Sequence, residues 1–356
     1  MSGGAPNVTG RRPILVTGGA GFIGSNLAHR LASEGHDVHV LDALSRPGVD
    51  ANLAWLRGEH PRRISATIAD VRDAGATADA AADAAAVFHM AAQVAVTTSM
   101  TDPRDDFEIN LRGTLNMLEA LRRRATPAPL IFASTNKVYG DLADVALALE
   151  GEAYVPADPG IRDRGVAEDR PLDFHTPYGC SKGGADQYVL DYARSFGVPT
   201  AVFRMSCIYG QRQMGTEDQG WVAHFLIRAL KGEPITIYGD GCQVRDVLDV
   251  SDAVEAYVTA LRRIGDVSGR AFNLGGGPAN AISLRQLVGH IGQLSNRRVD
   301  VTYSDWRAGD QRYYVSDTGA ATRDLGLRAP RPWREGVAAL ADWLRAHHRA
   351  PEPALP

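Results

Sequence analysis

Tyr178 and Lys182 stand four residues apart in Tyr-Gly-Cys-Ser-Lys, and positions i and i+4 of a helix share one face. A phenol titrates near pH 10, so using it as a base at neutral pH requires a depression of roughly 3 units, about 4 kcal/mol. An ammonium about 4 Å away, at an effective dielectric of about 20, supplies that much. The pair can therefore serve as a base that takes a proton from a hydroxyl. Composition singles out the lysine. Of 38 Lys plus Arg residues, only Lys137, Lys182 and Lys231 are lysines. Arginine serves wherever a solvated charge suffices, so a retained lysine marks a place for a compact ammonium with rotatable donors.

A second constellation lies near the N-terminus. Ile14-Leu15-Val16 reads as a short apolar strand, followed by Thr17-Gly18-Gly19-Ala20-Gly21-Phe22-Ile23-Gly24 and a helical run from Ser25 to Glu34. Glycines at 18, 21 and 24 permit a tight turn, close approach of a pyrophosphate to backbone N–H groups, and close helix-to-sheet packing. The spacing is G-x-x-G-x-x-G rather than G-x-G-x-x-G. A second strand, Asp37 to Leu41, ends at Asp42, whose carboxylate is placed to accept hydrogen bonds from both ribose hydroxyls of an adenosine. That carboxylate favours NAD over NADP, with the nearby Arg46 pulling the other way.

These groups need a scaffold, and strands alternate with helices through the first half, as in a parallel sheet with helices on both faces. Arg63 to Ala69 reads as a third strand ending at Asp70-Val71, suited to an adenine edge. Ala74 to Ala86 reads as a helix, and Val87 to Gln93 as a fourth strand with a small-residue exit. A helix from Phe107 to Arg124 follows, with Arg122-Arg123-Arg124 closing it against the macrodipole. Leu130 to Ser134 makes strand five, Tyr178 to Phe196 the helix bearing the pair, and Thr200 to Phe203 strand six. Strand five ends in Ala133-Ser134-Thr135-Asn136-Lys137, and carboxyl ends of such strands present the chemistry. Beyond it, helices are expected at Phe225–Leu230, Leu284–Leu294 and Trp333–His347, with a strand at Ala271–Leu274 returning to the sheet.

Composition excludes other classes. A net charge of −4 and interspersed arginines give no nucleic-acid footprint. Three cysteines, Cys180, Cys207 and Cys242, lack metal-ligand spacing, so no metal site is expected, and an odd set fits a reducing cytoplasm. No apolar stretch approaches 18 residues, so no membrane span is expected. His89 and His175 read as packing or capping residues.

Taken in order, the glycine turn, Asp42, Thr135 and Tyr178/Lys182 resemble an extended short-chain dehydrogenase/reductase of the NAD-dependent epimerase/dehydratase family, from Arg12 to about Trp343. The resemblance implies a doubly wound Rossmann α/β domain over 12–203, regained near 271–275, a smaller mixed α/β substrate lobe over 204–347, and tails at 1–11 and 348–356. It implies NAD held by Gly18, Gly21, Phe22, Ile23, Gly24, Asp42, Ser45, Arg46, Asp70, Val71, Ala91, Ala92, Gln93, Tyr178 and Lys182. Thr135, Tyr178 and Lys182 become the catalytic triad: tyrosinate as base, Thr135 steadying the oxyanion, and Lys182 holding the nicotinamide ribose while lowering the phenol pKa.

The same resemblance bears on the reaction. Dehydratases of the family usually carry Asp-Glu after the triad Thr, an acid pair for eliminating water, whereas Asn136-Lys137 stands here. Many 4-epimerases carry Arg-x-x-Asn after strand six, whereas this chain has Arg204-Met205-Ser206-Cys207. The segments 44–48, 92–99, 134–141, 172–182 and 215–222, and the long 142–177 connection, resemble the branch that inverts C2 of a CDP-linked deoxyhexose. Thr97, Asn136, Cys207, Gln219, Trp221, Arg245, Arg307 and Asp310 are then expected to bind the nucleotide sugar, with the arginines on its diphosphate. A UDP-sugar or UDP-uronic acid 4-epimerase is the same-class alternative. A non-catalytic dinucleotide sensor or RNA binder is the other, opposed by the intact triad. A homodimer through helices 107–124 and 178–196 is implied as well.

Overall fold

The computed structural model describes residues 12–296, 298–307 and 309–348; the expected tails lie outside this range, apart from His348. Seven strands form the central sheet: β1 (Ile14–Thr17), β2 (Val38–Asp42), β3 (Ile64–Ile68), β4 (Ala86–His89), β5 (Leu130–Thr135), β6 (Thr200–Met205) and β7 (Arg270–Leu274). Their order is β7-β6-β5-β4-β1-β2-β3, with every neighbouring pair parallel. Successive strands run outward from β1 in one direction and from β4 in the other. The reversal falls between β1 and β4, where Ile14 faces Ala86 and Thr17 faces His89. An open α/β sheet forms its ligand crevice at such a reversal, above the carboxyl ends of the strands.

Both faces are covered, which is why β1, β4 and β5 are buried along their whole length. Leu27, Leu31, Leu53 and Leu56 pack on one face with Val254 and Tyr257. Met117, Leu118, Leu121, Ala185 and Val189 pack on the other.

The helix Val250–Arg262, N-capped by Asp249, belongs to the first face, and Glu255 reaches Arg30 there at 2.7 Å. The region assigned by sequence mainly to the substrate lobe therefore returns a helix to the sheet before it returns β7. Above the sheet, the strand Val244–Asp249 pairs with Cys207–Tyr209, Ala281–Ser283 and Tyr313–Tyr314. A separate parallel pair joins Ile235–Tyr238 to Val301–Ser304.

Three elements differ from expectation. The alanine-rich helix stops at Ala82, because Ala86 is needed as the first residue of β4 and burial in the sheet outweighs alanine's helix preference. The helix expected from Phe107 opens into a π-turn at Glu108–Arg112 before continuing as Gly113–Arg122, which lets Asn110 point inward. Arg124 then leaves its own helix to donate to the carbonyls of Ala81 and Ala84, at 2.8 Å each. The long 142–177 connection contains a hairpin, Leu147–Glu150 with Ala153–Pro156, and a helix, Pro159–Arg164, capped by Asp158.

Candidate active site

Thr135 is the last residue of β5, and its Oγ1 accepts the N–H of Lys137 at 3.2 Å. The helix Thr176–Phe196 starts directly across the cleft with Pro177 in its first turn, and Ser99 Oγ accepts the N–H of Tyr178 at 3.2 Å. One helical turn further on, Lys182 is buried with its Nζ 4.2 Å from the centre of the Phe132 ring. Two elements, β5 and this helix, thus bring Thr135, Tyr178 and Lys182 to one place.

The electrostatics correct one expectation. Burial pushes the Tyr178 phenol up to about 12, with the Thr135 hydrogen bond opposing and Asp106 adding to the rise. Burial also pushes Lys182 down to about 7, against the pull of Asp186 and Asp106. Lys182 does not lower the phenol in the protein by itself, because desolvation disfavours both charged forms.

Next to the triad, the glycine turn occupies the β1 end. A Cβ on Gly18, whose φ is +65°, would stand 2.7 Å from Ala91 N, and one on Gly24 would stand 2.1 Å from Gly18 O. Only glycine fits at either position. A Cβ on Gly21 would meet only Gly18 O at 3.1 Å, so that position leaves room above the turn. Asp42 is held by two backbone donors, Ala20 N to Oδ2 at 2.9 Å and Leu44 N to Oδ1 at 2.8 Å. Each oxygen keeps a lone pair for a ribose hydroxyl. The second bond supports Leu44 at φ +50°, an uncommon conformation for a branched residue. Asp70 is tied by Arg72 through its side chain at 2.7 Å, while Val71 is buried with its carbonyl on Thr77 and Asn116. His89 bridges Thr17 Oγ1 (2.8 Å) and Thr114 Oγ1 (3.2 Å) and is pushed down to about 3 by burial, so it is a neutral packing residue. His175 pairs with Asp173 at 3.0 Å on a half-exposed loop.

One cleft of about 1040 Å³ runs from this turn past the triad into the second layer, and every residue expected to bind cofactor or substrate lines it. Arg245 pairs with Asp310 at 2.7 Å. Arg307 lies 3.7 Å from the centre of the Tyr238 ring and 3.3 Å from Asp218. Asn136 donates to Gln311 at 3.1 Å, and Trp221 packs edge-on against Phe225. Thr97 Oγ1 and Gln219 Oε1 are buried with no hydrogen-bond partner among the described residues. Both side chains line the cleft, so each atom is open to a partner that enters it.

A model of the NAD dependent epimerase/dehydratase family matches residues 14–275. The CDP-paratose 2-epimerase of Salmonella typhi is 42% identical over 350 residues, covering 93% of this chain and 98% of that protein. The chain belongs to the NAD-dependent epimerase/dehydratase family. Among solved structures, the UDP-glucose 4-epimerase of Thermotoga maritima with UDP-glucose matches at a TM-score of 0.81 and 28% identity, over 95% of this chain and 100% of that one. DesIV, a dTDP-glucose 4,6-dehydratase of Streptomyces venezuelae with NAD bound, matches at 0.80 and 28%, over 94% and 98%.

NAD is the cofactor of this epimerase/dehydratase chain. The cradle that added Cβ atoms would fill at Gly18 and Gly24, and the spare lone pairs of Asp42, fit that group.

Sequence reading missed a buried polar network behind the triad. Ser181 Oγ donates to Asp106, and Asn110 donates to Asp106 Oδ1 and to Gln93 O, each at 3.0 Å. Gln93 itself donates to Asp106 at 3.1 Å, so its side chain braces the wall. Deeper still, Asp186 accepts two bonds from Arg204 at 3.0 Å each and one from Ser134 at 2.7 Å. The four-residue offset from Lys182 was the available sign for Asp186, and adjacency to Lys182 for Ser181. Asp106, 72 positions before Tyr178, left none.

Proposed function

We propose that this protein inverts C2 of a CDP-linked deoxyhexose through a transient 2-keto sugar, with NAD staying bound and no net redox change. The observation that carries the reading is the 42% identity to CDP-paratose 2-epimerase across 93% of the chain. Asn136-Lys137 after Thr135 supports it, because neither side chain can act as the acid pair of a dehydratase. Both are committed elsewhere, Asn136 to Gln311 and Lys137 to the carbonyl of Gly309.

NAD supplies a cationic ring that accepts hydride from the sugar carbon and returns it. Gly18, Gly21, Phe22, Ile23 and Gly24 hold its pyrophosphate, Asp42 with Ser45 and Arg46 its adenosine ribose, and Lys182 its nicotinamide ribose. Asp70 and Val71 border the adenine, and Ala91, Ala92 and Gln93 form the wall beneath. Tyr178, ionised to the tyrosinate, takes the proton of the C2 hydroxyl and becomes a phenol, and Thr135 donates a hydrogen bond to the oxygen as it becomes a carbonyl. The same phenol returns the proton after the sugar has turned its other face.

Thr97, Gln219 and Trp221 contact sugar and base, and Arg245 and Arg307 meet the diphosphate, with Asp310 positioning Arg245. Residues 12–203 with β7 act as the cofactor domain and most of 204–347 as the substrate lobe. Exposed Phe107, Tyr188 and Phe196 suit a homodimer. No helix among the described residues is long and apolar enough to cross a membrane, and a cytoplasmic location is the corresponding proposal.

Incubation of the NAD-loaded protein with CDP-paratose, UDP-glucose and UDP-glucuronate, followed by NMR of the ring protons, tests the reading. Inversion at C2 of the CDP-sugar is expected. Inversion only at C4 of a UDP-sugar, the activity in the name of the Thermotoga relative, would replace it.

A further inference from the structure

The triad leaves Lys137 without a role. It lies on the turn Asn136–Tyr139, two residues beyond Thr135, and its side chain lines the cleft. Nζ donates to the carbonyl of Gly309 at 2.9 Å, the one hydrogen bond of its ammonium among the described residues. Arg245 lies close enough to repel it, Asp310, Cys207 and Asp141 exert the opposite pull, and burial is the largest effect, together bringing it down to about 8. Asp310 is already paired with Arg245 at 2.7 Å. Two cations therefore stand together on the wall of an open cleft, where the carboxylate nearest both, Asp310, is taken by Arg245. A half-buried ammonium beside a second cation is costly unless an anion answers it, and the cleft is where that anion enters.

The phosphate bonded to C1 of a nucleotide sugar is one carbon from C2 and across the ring from C4. A cation beside Thr135 meets that phosphate when C2 is the reacting carbon and stands away from it when C4 is. We propose that Lys137 binds the sugar-proximal phosphate and thereby sets C2, rather than C4, against Thr135 and Tyr178. The inference rests on the C2 reading above and gives it a specificity-determining residue. The held phosphate is also the pivot about which the sugar turns between its two faces.

CDP and CMP differ by that phosphate alone. Titration of the NAD-loaded protein with each is expected to show at least a tenfold loss of CDP affinity in Lys137→Met, with CMP affinity changed less than twofold. Equal losses for both nucleotides, or unchanged CDP binding, would overturn the proposal. The wild-type protein gives an arm free of any folding defect. An ammonium is charged below its pKa, so CDP affinity is expected to fall between pH 7.5 and 9.5 while CMP affinity stays level; a level CDP profile would also overturn it. UDP and UMP form the same pair for a uracil site. A missing C2 inversion in the activity assay and a missing phosphate discrimination are thus separate results.

Discussion

Lys182 and Tyr178 are each held in the form that burial prefers, the amine pushed down to about 7 and the phenol up to about 12. Ionising the phenol for proton abstraction therefore needs the positive charge that the nicotinamide ring would add when NAD is bound. Tyr178→Phe is expected to lower kcat by about 10²–10⁴-fold, the usual worth of a positioned acid–base group, with the NAD content of the purified protein unchanged. Retained activity would remove the phenol from the mechanism.

Stability should move the other way at Lys182. Unfolded, the amine titrates near 10.4, so between pH 7 and that value the unfolded chain holds more protons and stability rises with pH. The cost of the buried ammonium is greatest below pH 7. Lys182→Met, measured without added NAD, is expected to melt a few degrees higher than wild type at pH 6 and by a smaller margin at pH 9. At this scale the sequence was informative wherever spacing carried the chemistry, as for Tyr178 with Lys182 and Asp42 with the glycine turn. It was silent on Asp106, which is tied to the triad helix by Ser181, 75 positions away, and to Gln93 and the π-turn residue Asn110.

The elements that present the triad are locked together by one buried ion pair. Asp186 on the helix Thr176–Phe196 grips Arg204 on β6 and Ser134 on β5, and Arg204 passes the contact to Tyr139, which donates to Asn273 on β7. Removing one partner leaves an uncompensated buried charge, and Asp186→Ala is expected to cost about 3–5 kcal/mol in denaturant unfolding. A loss under about 1 kcal/mol would mean that the pair does not hold these elements. In the glycine turn after β1, Gly24→Ala places a methyl 2.1 Å from Gly18 O. It is expected to weaken NAD binding at least tenfold by direct titration. Strand and helix existence was legible from short apolar runs and periodicity. Ends were not: the stop at Ala82 and the π-turn at Glu108–Arg112 depend on which neighbour each residue meets in the folded sheet.

Across the whole molecule, the cleft joins a sheet whose parallel strands were implied by alternation, and its doubly wound order by the family resemblance, to a second layer whose pairing was not. The strand Val244–Asp249 gathers partners from residues 207–209, 281–283 and 313–314, and such long-range pairing leaves no local mark. Arg245 and Lys137 meet because that strand and the turn after β5 face one another across the cleft. The central claim is that this meeting point works on C2 by hydride transfer within one bound sugar. A CDP-linked deoxyhexose deuterated at C2, incubated in ordinary water with the NAD-loaded protein, tests it most directly by mass spectrometry and NMR of the product. The account predicts inverted C2 with the deuterium still on that carbon. Deuterium washed out to solvent, or C2 left unchanged, would contradict it.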